Sequence, residues 1–198
     1  MKYLLTALIT VCFLNPTTSQ TMSKDTLPYF EIGDYPEDFG PGSMLARYVD
    51  GLGYRYHWAT EGLGENDLAY RPTPEASSSF ETLEHVYGLS KTILNLARNT
   101  PNTRGPKEEM TFEDLRSATL LNFQLASEYF NGKTAEQMAR TKLKFERDGK
   151  VNEMDLWLAI NGQMSDALYH VGQLVSFRRT TGNPMHPGVS VFRGKTSF

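Results

Sequence analysis

The stretch Trp157–Pro184, WLAINGQMSDALYHVGQLVSFRRTTGNP, decides how the rest of the chain is read. Beginning at Leu156, the residues Ile160, Gln163, Ala167, His170, Leu174 and Phe177 recur at alternating steps of four and three. That period puts them on one face of a helix over about Asp155–Thr180. Gly182-Asn183-Pro184 ends it. Gly162 lies inside the helix at a cost of about 1 kcal/mol relative to Ala and marks a kink or a close approach. Gln163, Asp166, His170 and Gln173 share one side of this helix. A buried polar group without a partner costs roughly 1–3 kcal/mol, so an inward polar line demands partners.

Working outward, the same helical period recurs three times. Leu45, Val49, Leu52, Tyr56, Ala59 and Leu63 form a seam over about Gly42–Gly62. Ser78 and Glu81 have the spacing of a capping box, and the helix they open continues to about Arg98, with Phe80, Leu83, Tyr87, Leu94 and Ala97 in one row and Leu89, Ile93 and Leu96 in another. His85 lies beside the second row. A third helix runs from Thr111 to about Phe130 along Leu115, Ala118, Asn122, Leu125 and Tyr129, and Asn131-Gly132 closes it. Between it and the last helix, Leu143 and Phe145 alternate with charged residues ahead of Asp148-Gly149, which predicts a small β-hairpin. The fold class is therefore all-α: an up-and-down four-helix bundle with a small hairpin between helices 3 and 4.

The ends are different in kind. Met1-Lys2, the apolar run Tyr3–Leu14, and the polar residues after it have the layout of a secretory signal peptide over residues 1–20. The rival reading is a retained anchor or a core helix. Export to the periplasm or the medium is the expectation, with no membrane association once the leader is removed. Cys12 is the only cysteine and lies in that run, where Val11 is a poor residue to precede a lipidation site. A mature chain without it has no disulfide, cysteine nucleophile or thiolate metal site. Residues 21–41, rich in Pro and Gly, read as an extended arm, and residues 42–198 as the domain, ending in a surface loop after Pro184.

With 198 residues, 39% hydrophobic and 22% charged, the chain has the composition of one ordinary globular domain. A net charge of −3 and the lack of a basic stripe exclude a nucleic-acid partner. There is no phosphate-cradling glycine loop, nucleophile elbow, paired-histidine zinc-protease motif or calcium-binding loop.

Asp166 and His170 stand one helical turn apart, so both reach a common point. A metal ion there would take an imidazole nitrogen and a carboxylate oxygen, with His85 as third ligand from another helix. Two histidines and one carboxylate suit zinc, nickel, iron(II) or manganese(II). The competing reading is a buried hydrogen-bonded pair that fixes helix register. Asn122, Gln163 and Gln173 are candidates for orienting ligands or substrate, and Arg178 for holding a substrate anion. Arg178 and Arg179 also suit the negative end of the helix dipole. His57, between Tyr56 and Trp58, reads as aromatic packing or surface, and His186 as exposed.

Two segments, Leu63–Tyr87 (LGENDLAYRPTPEASSSFETLEHVY) and Trp157–Pro184, resemble the DinB-like superfamily, and the resemblance extends over about residues 43–184. It implies a four-helix bundle with a metal site built from one histidine on the second helix and a pair on the fourth. By position His85 and His170 match ligands, while Asp166 stands where many members have histidine. The family includes thiol-dependent transferases and proteins described as metal-dependent hydrolases, and related bundles pair as homodimers. The resemblance therefore implies a metal-dependent hydrolase acting on a small molecule. The alternatives are a thiol-dependent transferase, which a leader peptide disfavours, and a non-catalytic bundle that binds a small ligand or a protein.

Overall fold

The computed structural model describes residues 27–198. Residues 1–20, read from the sequence as a leader, and Cys12 with them lie outside the described residues. Four long helical segments form the bundle: α1 (Pro41–Thr60), α3 (Ser79–Arg98), α4 (Phe112–Phe130) and a last one made of α6 (Leu156–Ala159), a π-helical turn (Ile160–Met164) and α7 (Ser165–Thr180). Short helices α2 (Glu65–Ala69) and α5 (Ala135–Arg140) lie in the connections. Thr134 and Gln137 form a capping box on α5.

The expected four-helix bundle with its hairpin is present, and its long helices run up, down, down, up. The start of α1 meets the end of α4, where the Gly42 amide donates to the Lys133 carbonyl at 3.2 Å. In contrast α3 and α4 run parallel: Asn122 donates to Ser90 at 2.9 Å near their middles, and Arg98 lies over Tyr129 near their ends. The physical reason is reach. A helix of this length spans about 30 Å, and the connection through residues 99–111 is long enough to return along it. Part of that connection is strand β1 (Asn102–Thr103), which pairs parallel with β2 (Lys142–Arg147). The predicted hairpin is β2 with β3 (Lys150–Asp155), in antiparallel register with Phe145 opposite Asn152, and it turns at Asp148-Gly149, both at positive φ.

One core runs through the bundle. The α1 seam is buried as predicted, and Leu83, Val86, Ile93 and Leu96 of α3 are buried in the same core. On α4 the buried face is Leu115, as predicted, followed by Thr119, Phe123, Ala126 and Phe130, each one position on from the predicted row. Thr119 can occupy that face because its hydroxyl donates to the Leu115 carbonyl at 2.7 Å, and Ser127 likewise bonds the Ala46 carbonyl. Hydroxyls satisfied by backbone behave as small core residues, which a count of apolar side chains overlooks.

The last helix departs in the same way for another reason. Its buried positions are Ala159, Met164, Ala167, Val171, Leu174 and Arg178. The step from Ala159 to Met164 is five residues, the signature of the π turn, where the Ser165 amide reaches the Ile160 carbonyl. After that turn Ala167 and Leu174 of the expected row stay buried, while Met164, Val171 and Arg178 take the places expected of Gln163, His170 and Phe177. Gln163, Asp166, His170, Gln173 and Phe177 therefore line the flank of α7 beside the core.

The arm and the tail pack together on α1. Tyr29 donates to Asp50 at 3.1 Å, Trp58 to the Phe30 carbonyl at 3.1 Å, and the Ile32 amide to the Gly194 carbonyl at 2.9 Å. The tail, read as loop, carries a two-stranded ladder, β4 (Val189–Ser190) with β5 (Lys195–Thr196).

Candidate metal centre

Helix α3 starts at a fully formed capping box. Ser78 Oγ accepts from the Glu81 amide at 3.1 Å, and Glu81 accepts from the Ser78 amide at 2.9 Å. Arg71 then forks onto both Glu81 oxygens at 2.7 and 2.8 Å and donates to the Ala76 carbonyl at 2.7 Å. This lashes the Pro-containing loop to the first turn of α3. His85, one turn beyond Glu81, is held at the edge of the α3–α7 contact.

From α7, Asp166 places one oxygen on each histidine. Its Oδ2 lies 3.0 Å from His85 Nε2, and its Oδ1 lies 3.2 Å from His170 Nε2. The two imidazole rings meet edge to face, with centroids 4.6 Å apart. Among the described residues these three side chains offer ligand atoms that all lie within 4.8 Å of one another. Bonds of about 2.0–2.2 Å to a common ion separate neighbouring ligand atoms by about 3.0–3.4 Å, so the two nitrogen–oxygen distances fit such a group. The donor set fits as well: two neutral imidazoles and one carboxylate suit a divalent first-row metal. Gln163, one turn before Asp166, has a buried Oε1 with no protein partner.

The cluster is open. The side chains of His85 and Asp166 are 49% and 42% exposed, and that of His170 23%. His85 and His170 border a cleft of about 450 Å³ whose walls include Pro72, Thr82, Gln173 and Phe177. Glu81 also lines it, but the Arg71 guanidinium holds its carboxyl down to about 2. Glu81 is thus a fixed anion and a poor base near neutral pH.

The remaining polar residues singled out in the sequence divide cleanly. Gln173 reaches the cluster: its Oε1 lies 2.6 Å from His170 Nδ1. Asn122 does not; it ties α4 to α3 through Ser90. Nor does Arg178, which is 4% exposed and donates to the carbonyls of Trp58 at 2.8 Å and Asn183 at 2.6 Å. Its charge closes the C-terminal end of α1 rather than facing a substrate. His57 is buried and sits 2.8 Å from the Pro28 carbonyl, and His186 packs against Phe198. The sequence reading missed Pro72, Thr82 and Phe177 as cleft walls; Arg71-Pro72-Thr73-Pro74 just ahead of a capping box was the available signal. It also missed Tyr169, whose ring meets that of His170 edge-on with centroids 5.5 Å apart.

Among solved structures, the chain is similar to the crystal structure of the DinB-like protein YjoA from Bacillus subtilis, with a TM-score of 0.55 over 77% of this chain and 99% of that one. The fold is DinB-like. Sequence identity over the match is 14%, so the likeness concerns the fold and not the activity. No protein-family model and no curated protein matches the sequence. A DinB-like bundle with a convergent His-Asp-His group is what the chain presents, and the identity of any metal is a separate question.

Proposed function

We propose that the protein binds a divalent metal ion through His85, Asp166 and His170 and acts as a metal-dependent hydrolase on a small molecule. The observation that carries this reading is the convergence of two Nε2 atoms from different helices on the two oxygens of one carboxylate. Three protein ligands on an open cleft leave coordination positions for solvent and substrate. A bound divalent metal supplies an activated water, with its pKa lowered toward neutrality.

The chain's own residues set the rest. His85 and His170 face the cleft, so substrate approaches from the side of Thr82 and Gln173. Pro72 and Phe177 offer it apolar surface. Glu81 is neutralised by Arg71, so that wall of the cleft carries no net charge, which suits a neutral substrate such as an ester or amide. Elemental analysis of the purified protein, folded with zinc, manganese, iron(II) or nickel supplied, tests the metal. Stoichiometric metal lost in His170→Ala supports the reading; no metal in the wild type overturns it. Metal-dependent turnover of a neutral ester panel then tests the hydrolase.

A second reading is a non-catalytic bundle in which Asp166 simply links α3 to α7, since it already contacts both histidines. Partly exposed ion pairs contribute at most about 1 kcal/mol, which makes a purely structural purpose weak. A thiol-dependent transferase would need a thiol supplied from outside the chain. Export rests on residues 1–20 alone, and amino-terminal sequencing of the protein from its native host tests it. Among the described residues no helix is long and apolar enough to cross a membrane. A homodimer is proposed by analogy and is checked by sedimentation.

A further inference from the structure

A neutral imidazole carries one N–H, and its partners decide which nitrogen holds it. Gln173 Oε1 has only lone pairs to offer and lies 2.6 Å from His170 Nδ1. With the amide oxygen turned to the ring, that contact calls for a proton on Nδ1. Nε2 then presents a lone pair, and it does so 3.2 Å from Asp166 Oδ1, which also has only lone pairs. In the singly protonated ring two acceptors face each other at that distance and repel, and either a second ring proton or a metal ion reconciles them. Asp166 Oδ2 lies 3.0 Å from His85 Nε2, so the one carboxylate spans both imidazoles.

We infer that Gln173 is the positioning residue that decides whether Asp166 and His170 form a metal site or close on each other as a hydrogen-bonded pair; this rests on the metal reading above. With its carbonyl on Nδ1, His170 is held as a ligand with Nε2 free. Without it, the proton moves to Nε2, His170 donates to Asp166, and the carboxylate is occupied. The arrangement is the one by which outer hydrogen-bond partners orient and tune metal-binding histidines. Gln173 is half-buried at the cleft wall, so its substitution leaves the core intact.

The experiment compares wild type, Gln173→Leu and Gln173→Glu. Zinc affinity is measured by competition with a chelator. The His170 tautomer is read from nitrogen-15 shifts of the metal-free proteins at about pH 8.5, two units above an ordinary imidazole. The proposal expects the Nδ1–H form in wild type and Gln173→Glu, and the Nε2–H form in Gln173→Leu. Zinc binding is expected to weaken about 10- to 100-fold in Gln173→Leu and to be restored in Gln173→Glu. An Nε2–H tautomer in the metal-free wild type, or wild-type zinc affinity in Gln173→Leu, overturns it. If wild type binds no zinc while the tautomers follow the expected pattern, the metal reading falls and the effect of Gln173 on His170 stands.

Discussion

His85 on α3 and Asp166 on α7 are 81 positions apart in the chain, and their side chains meet at 3.0 Å. Neither helix makes the contact alone. The capping box at Ser78 sets where His85 falls, and the π turn sets which way Asp166 points. Because both side chains are about half exposed, the contact does little for stability, and its effect is expected on ligand binding.

Asp166→Asn keeps the shape of the side chain and removes its charge. Metal content should fall to background, while the metal-free melting temperature moves by no more than about 4 °C, as befits a partly exposed ion pair in a chain of this size. Elemental analysis and thermal melts of both proteins check this. A large drop in metal-free stability would instead favour the structural link.

Arg178→Met should have the opposite profile. It removes donors from the buried carbonyls of Trp58 and Ala59 and from the part-buried carbonyl of Asn183. Each one left unpaired costs about 1–3 kcal/mol, so urea denaturation should show a loss of roughly 3 kcal/mol or more. Metal content should not change.

Burial lowers the pKa of His57 below its ordinary value of 6.5, and the nearby Arg116 guanidinium acts in the same direction. The unfolded chain then binds the proton more readily than the folded one. Stability is complete above about pH 6.5 and declines as pH falls toward the folded-state value, with a slope of up to about 1.4 kcal/mol per pH unit. Urea midpoints measured between pH 5 and 7.5 test this. His57→Gln, which keeps a donor for the Pro28 carbonyl but does not titrate there, should flatten the His57 part of the slope.

Gly53 leaves room for the arm. A Cβ at this position would lie 2.3 Å from the Tyr29 ring. Gly53→Ala should expel Tyr29, break its bond to Asp50 and make residues 27–40 sensitive to protease, at a cost of about 1–3 kcal/mol. Metal binding on the other flank should survive. Limited proteolysis and metal analysis on one preparation decide the matter.

Much of this was legible in the residues. The α1 seam, the Ser78–Glu81 box and the hairpin turning at Asp148-Gly149 follow from local rules of periodicity, capping and turn chemistry. The trio His85, Asp166 and His170 came from spacing together with family resemblance. What escaped depended on tertiary context. Thr119 enters the core because its hydroxyl finds a carbonyl one turn back. Arg178 is buried because the end of α1 offers it carbonyls. Neither partner is visible from the residue itself. On the last helix Ala167 and Leu174 are buried as the period predicts, but the π turn at Ile160–Met164 puts Met164, Val171 and Arg178 in the core in place of Gln163, His170 and Phe177.

The π turn also bears on how relatives of this chain should be aligned. It takes up one residue more than an α-helical path between the same two core positions, Ala159 and Met164. Loss of a single codon inside Ile160–Met164 would let the helix run straight through while Met164, Asp166 and His170 kept their places against α3. A homologue lacking the turn would show a one-residue gap there and an unchanged Asp-to-His interval afterwards. Ligands in such sequences are best located by counting from each other, not forward from the hairpin.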